Sequence, residues 1–149
     1  MYKTDEIDMR ILEMLKKDAR ASYSEIAENV HLSRVAVRER IKLMQKEGII
    51  LGFTVQINSK AYNKPVSVYF DVEVVPHELF NVAKKLVLNE EIAVVSQHTG
   101  TTGLHIHAFI DKIENLSQFM DEHLYSVSGV RNVHAHVLIK NYKTNAYLC

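Results

Sequence analysis

Residues 31–50 read HLSRVAVRERIKLMQKEGII, and this stretch decides how the first half of the chain folds. Val37, Ile41 and Met44 recur at i, i+4 and i+7, the period of a helix with one buried stripe. Arg34, Arg38 and Lys42 recur every fourth residue on a different face, and Arg40 and Lys46 bring the basic residues to five. Ser33 precedes the periodic run and is a suitable N-cap. Gly48 follows it, where a left-handed residue often ends a helix.

Two more helices are legible upstream. In TDEIDMRILEMLKKDAR, Ile7, Ile11, Leu12 and Leu15 form a stripe, with Thr4 or Asp5 to cap it. The SYSE of residues 22–25 fits a capping box, in which Ser22 accepts from the Glu25 amide and Glu25 reaches back. A short helix through Ile26, Ala27 and Val30 follows, and Leu32 can enter the core. A short helix, a three-residue turn and a longer helix make the helix-turn-helix outline. In that motif the second helix enters the major groove with its N-terminal residues at base edges. Ser33, Arg34, Val35, Ala36 and Arg38 occupy that end. Arginine suits guanine, and Val or Ala suits a thymine methyl. Lys42 and Lys46, farther along, suit phosphates. The competing reading is a solvated amphipathic helix, whose positive charge Glu39 and Glu47 dilute.

Bulk properties set the frame. A length of 149 residues fits one ordinary domain or two small ones, and 47% hydrophobic with 24% charged residues is an average soluble composition. The formal net charge is zero, but residues 1–64 hold 12 Lys and Arg against 9 acids, and residues 65–149 hold 6 against 9. The first half is the one expected to face an anion. The start is charged from the third residue and no apolar run approaches the ~20 residues of a membrane span, so the cytoplasm is the expected compartment and no membrane partner is expected. The one cysteine, Cys149, is terminal, which leaves no intrachain disulfide.

After Gly48, IILGFTVQINSKAYNKP alternates loosely. The spacing predicts a strand at about 49–57, as a wing or a hinge, and a linker ending near Pro65. The expected divisions are a helix-turn-helix domain over 1–50, a strand and hinge over 51–64, and a second domain over 65–149.

The order of features resembles the Lrp/AsnC (feast/famine) transcriptional regulators. The resemblance rests on DEIDMRILEML, SEIAENVHLSRVAVRERIKLMQKEGII and GFTVQIN, then on VSQHTGTTGLHIHAFI and GVRNVHAHVLIK. It implies a regulator that binds double-stranded DNA as a homodimer able to assemble to an octamer, with a second domain that senses a small ligand, usually an amino acid. It also implies a ligand pocket around Thr99, Gly100, Thr101, Thr102 and Gly103. Family members often read T-G-x-(Y/F)-D there, and Gly103 stands at the acidic position. Backbone amides and Thr hydroxyls could still hold a carboxylate. An α-ammonium loses its natural partner. The competing reading of this stretch is a glycine-stabilised hairpin turn.

The second half is readable on its own terms. VSVYFDVEV, residues 66–74, alternates strictly, and the elements that follow give the order βαββαβ, the ferredoxin-like arrangement. The fold class is therefore α+β, an N-terminal helix-turn-helix (winged) domain followed by a ferredoxin-like sandwich. Leu104, Ile106, Ala108 and Ile110 should face the helices, together with Val133, Ala135, Val137 and Ile139. The opposite face then carries His105, His107, Phe109, His134, His136 and Leu138, and the strand order 4-1-3-2 sets Asp71 and Glu73 between them. Three readings of this face stay open: a half-polar dimer interface, a pH-responsive one, or a metal or haem site using His105, His107, His134 and His136. The leading reading needs no cofactor and no catalysis. The alternatives are an enzyme resembling sirohaem decarboxylases or a metal- or haem-responsive protein on this scaffold, and a dimerisation protein without DNA.

Overall fold

The computed structural model describes residues 2–99 and 103–142, in two compact units that divide between Gln56 and Ile57. The first unit holds three helices: α1 (Glu6–Lys17), α2 (Tyr23–Val30) and α3 (Arg34–Lys46). Their stripes meet in a core of Ile11, Ile26, Ala27, Val30, Val37, Ile41 and Met44, against which Leu32 packs.

Local chemistry explains each boundary. Asp5 caps α1, and its Oδ1 accepts from the Asp8 amide at 2.8 Å while Asp8 Oδ2 accepts from the Asp5 amide at 3.1 Å. This reciprocal box was expected at α2. There Ser22 supplies the forward half, accepting from the Glu25 amide at 3.1 Å. His31, with φ of 57°, ends α2, and Ser33 caps α3 by accepting from the Ala36 amide at 3.1 Å. At the end of α3, Gly48 has φ of 71°, the Gly48 amide donates to the Gln45 carbonyl and the Ile49 amide to that of Met44. These two bonds are the Schellman pattern.

The strand expected over 49–57 is not formed, and with it the wing is absent among the described residues. A strand needs a partner for its backbone groups, and none of the described strands pairs with this segment. Its alternate residues Leu51, Phe53, Val55 and Ile57 are exposed, Leu51 at 90%. A 3₁₀ turn over Ser59–Tyr62 follows.

The second unit is a four-stranded antiparallel sheet with two helical segments. Its strands are β1 (Val66–Val74), β2 (Ile92–Gln97), β3 (Gly103–Ile110) and β4 (Val130–Val137), in the order β2-β3-β1-β4. α4 (Leu79–Val87) follows a 3₁₀ turn at Pro76–Glu78, and α5 (Leu116–Met120) continues into a π turn over Asp121–Tyr125. Val68, Phe70, Val72 and Val74 of β1 join Leu104, Ile106, Ala108 and Ile110 of β3 in the core, closed by Val82, Leu86, Phe119 and Leu124. β4 ends sooner than expected. Its ladder to β1 reaches Val68↔Val137, one more backbone bond runs from the Leu138 amide to the Ser67 carbonyl, and Ile139 is 97% exposed. Val137, although still paired with Val68, is exposed, and neither it nor Ile139 enters the helix-covered core.

Gly129 marks a close approach. Its φ is 100°, and a Cβ there would lie 2.8 Å from Glu78 Cβ and 2.9 Å from Val82 Cγ2. Glycine is required on both counts.

Candidate functional site

The outward face of α3 opposes its buried stripe. Ser33, Arg34, Arg38, Lys42 and Lys46 are exposed, Ala36 is half-buried, and Val35 is 59% exposed although apolar. A shallow depression beside this face is lined by Ser22, Tyr23, Ser24, Arg34, Val35 and Arg38, so the first turns of α2 and α3 adjoin there. Unsatisfied amides and the helix dipole make such turns favourable to an anion. Glu39 sits among the cations, 3.0 Å from Arg38 Nη2 and 3.6 Å from Lys42 Nζ. The hydrogen bond from Arg38, with the charge of Lys42 behind it, holds the Glu39 carboxyl below its usual range.

Arg40 departs from the other four basic residues. Its Nη1 donates to Asp5 Oδ2 at 2.7 Å and to Asp8 Oδ1 at 2.8 Å, and Asp8 is fully buried. The Tyr2 hydroxyl donates to Asp8 Oδ2 at 2.6 Å, and the Tyr2 amide donates to Glu47 at the end of α3. The sequence carries a signal for this that the apolar pattern hides. Asp8, Ile11, Leu12 and Leu15 share the helical stripe, and a carboxylate at a stripe position requires a cation facing it.

In the sheet unit the open face assembles as the alternation requires. Cross-strand pairing sets Tyr69 between His107 and His136, and Asp71 between His105 and His134. His105 Nδ1 and His136 Nε2 each lie 3.2 Å from a different oxygen of Asp71, while His134 Nε2 is 3.7 Å from Glu73. A carboxylate only accepts, so both imidazoles turn an N–H toward Asp71. The His105 hydrogen bond is the main cause that holds Asp71 below the usual carboxylate range. Tyr69 stacks on His107 with ring centres 4.3 Å apart and on His105 at 5.4 Å. His107 Nε2 also bonds Ser67 Oγ at 2.8 Å, and burial lowers its pKa. Among the described residues, no group of three or more His, Cys, Asp or Glu is arranged to hold a metal ion. His105, His107, His134 and His136 share a face without converging on a point.

The expected ligand stretch is only partly described. Thr99 is an exposed bend residue, and Gly103 opens β3 opposite Glu73. Gly100, Thr101 and Thr102 lie outside the described residues, as does Cys149. Among the described residues no helix is long and apolar enough to cross a membrane.

A three-helix unit with a capped turn and an outward basic helix, followed by a βαββαβ sheet, has the architecture of a helix-turn-helix protein with an appended second domain. Residues 5–45 match the AsnC-type helix-turn-helix domain, and residues 67–148 match the Lrp/AsnC ligand binding domain. The chain belongs to the Lrp/AsnC family of transcriptional regulators. It is similar to the HTH-type transcriptional regulator FL11 of Pyrococcus abyssi, 31% identical over 97% of this chain and 95% of that one. LrpA of Pyrococcus horikoshii is 32% identical over 93% of this chain and 99% of its own length. Among solved structures, AsnC of E. coli superposes with a TM-score of 0.87 at 21% identity, covering 96% of this chain and 97% of that one. A Neisseria meningitidis transcriptional regulator solved as a complex with L-Met also gives 0.87, at 23% identity, over 99% and 97% of the two chains. At these identities the two structures bear on the fold.

Proposed function

We propose that the chain regulates transcription by inserting α3 into the major groove, with Ser33, Arg34, Val35, Ala36 and Arg38 at base edges and Lys42 and Lys46 at phosphates. The observation that carries this is the division of α3 into a buried stripe and an outward face on which Arg34, Arg38 and an exposed valine stand together. Glu39, which holds Arg38 and Lys42 in the free protein, releases them to DNA.

The working form is a homodimer, able to assemble further to an octamer. Residues 51–57 expose four alternating apolar side chains, and among the described residues no strand pairs with their backbone and no helix covers the histidine-bearing sheet face. A second copy would satisfy both. A two-fold dimer reads two half-sites, so the operator is near-palindromic. The functional divisions are 1–50 for DNA, 51–64 as the hinge, and 65–149 for dimerisation and sensing, and the break after Gln56 falls within that hinge.

The effector is a small metabolite of the amino-acid class, bound around Thr99–Gly103. The L-Met complex of the Neisseria regulator and the match to the ligand binding domain support this class. A ligand that favours one dimer arrangement shifts DNA occupancy by its differential affinity. The protein works without catalysis, as the names of its relatives suggest, and the cytoplasm is its compartment.

The test starts with duplexes selected by the wild-type chain from a random pool. Arg38→Ala should lose ~1–3 kcal/mol per half-site contact, and a variant that footprints the selected duplex as well as wild type would overturn the assignment of α3. For the effector, thermal unfolding with each amino acid in turn should show one that raises stability by ~2.7 kcal/mol at a hundredfold excess over Kd. No shift across the whole set would remove the amino-acid class.

A further inference from the structure

Arg40 lies in the basic run of α3 and would ordinarily be counted with the residues that meet DNA. Its surroundings assign it elsewhere. Both of its hydrogen bonds go back to α1, to the N-cap Asp5 and to the buried Asp8, and Asp8 in turn holds the Tyr2 hydroxyl. Tyr2 also reaches Glu47 through its amide, so α3 is tied to the N-terminal segment at its middle and at its end. Among the described residues no buried side-chain polar atom lacks a partner, so the cluster is closed.

We propose that Arg40 is a positioning residue: the Asp5–Asp8–Tyr2–Arg40 cluster fixes the roll of α3 about its own axis, and operator discrimination depends on it. This rests on the reading of α3 as the helix that meets base edges. The apolar contacts of Val37, Ile41 and Met44 hold α3 down, but burial is non-directional and tolerates rotation. Hydrogen bonds to a fixed carboxylate pair do not. At the ~5–6 Å outer radius of a helix, a roll of about 15° carries a side-chain tip about 1.5 Å. That displacement breaks a bidentate arginine–guanine contact, whose useful range is a few tenths of an ångström. Lys42 and Lys46, on long flexible stems, keep their phosphates through the same rotation. The cluster therefore governs specific binding and leaves non-specific binding alone.

The test compares the full-length protein with Arg40→Gln, Asp8→Asn, Asp5→Asn and Arg40→Lys. Each is titrated at several KCl concentrations with a duplex selected by wild type and with a base-shuffled duplex of equal length. Arg40→Gln and Asp8→Asn should lose tenfold or more on the selected duplex, and stay within about twofold on the shuffled one with the salt slope unchanged. Arg40→Lys should recover part of the loss, since an ammonium can still bridge the two acids. Asp5→Asn removes only the exposed anchor and keeps Asp8 paired; it should show a smaller loss of the same kind and covers the case in which Arg40→Gln does not fold. A phosphate contact behaves differently. If Arg40→Gln weakens both duplexes alike and lowers the salt slope by about one per half-site, the proposal is wrong. It is equally wrong if Asp8→Asn tightens both duplexes, the result of simply removing a negative charge near DNA. Wild type binding both duplexes alike would fail the reading of α3 itself, before any variant is measured.

Discussion

Asp8 in the helical unit and Asp71 in the sheet unit each bridge two side chains, and they do so under opposite conditions. Asp8 holds Tyr2 at 2.6 Å and Arg40 at 2.8 Å with no exposure to solvent. Asp71 holds His105 and His136 at 3.2 Å each, with 49% of its side chain exposed. The first bridge joins a guanidinium to an acid closed off from water. The second lies at an open face, so its strength follows whatever covers the sheet. The helical unit uses its acid to hold an element in place, and the sheet unit leaves its acid available.

The difference should be largest in stability. Arg40→Met strands Asp8 as a buried carboxylate with only Tyr2 and the Asp5 amide beside it. Breaking a buried pair from the cation side costs about 3 kcal/mol or more, read as a lowered denaturation midpoint. Asp71→Asn, at a solvent-screened site, should change stability by less than about 1 kcal/mol. Equal losses in the two variants would erase the distinction.

The sheet unit has its own fixed point, and it is steric. Gly129 lies against Glu78 and Val82, where any Cβ would collide. Gly129→Ala should cost roughly 1–3 kcal/mol from overpacking, and the left-handed backbone adds to it. If calorimetry shows Gly129→Ala to be neutral, the helix α4 is less firmly seated than the described geometry requires.

Much of this was legible beforehand because the signals were local and periodic. Ser22 and Ser33 as caps, the stripe of Val37, Ile41 and Met44, and the alternation of Val66–Val74 each follow from a spacing that one element satisfies alone. The strand order also followed, since βαββαβ leaves few ways to close a sheet. What failed depended on partners. Residues 49–57 alternate, yet alternation cannot supply the ladder that makes a strand. The end of β4 was set by its ladder to β1, a distant segment of the chain, which stops at Val68↔Val137. Arg40 has no assigned role in the sequence reading, because a helical period reports a face and not the acid opposite it. Asp8 in the α1 stripe was the missing cue.

The smallest expected effect separates the two units by pH. His107 is pressed below the usual imidazole value of 6.5, first by burial and then by the charge of His105 on the same strand. A depressed folded pKa means the unfolded chain binds more protons within that window, so stability rises with pH there. Its contribution is fully present above about 6.5 and is lost as pH falls through the lower folded value. The stability that Asp71 contributes through its own depressed pKa is present above about 3.8 and is lost only as pH falls below that value, far from this window. One fully differential proton would give ~1.4 kcal/mol per pH unit. Partial exposure of His107 screens it, so the slope should be a fraction of that. Urea titrations at pH 7.5, 6.5, 6.0 and 5.5 should show stability falling below 6.5, and His107→Gln, which keeps a hydrogen-bonding group near Ser67, should flatten that fall. Arg40→Lys should leave the slope untouched, because it keeps the charge of the helical bridge and lies in the other unit. A slope that survives in His107→Gln would remove His107 as its source.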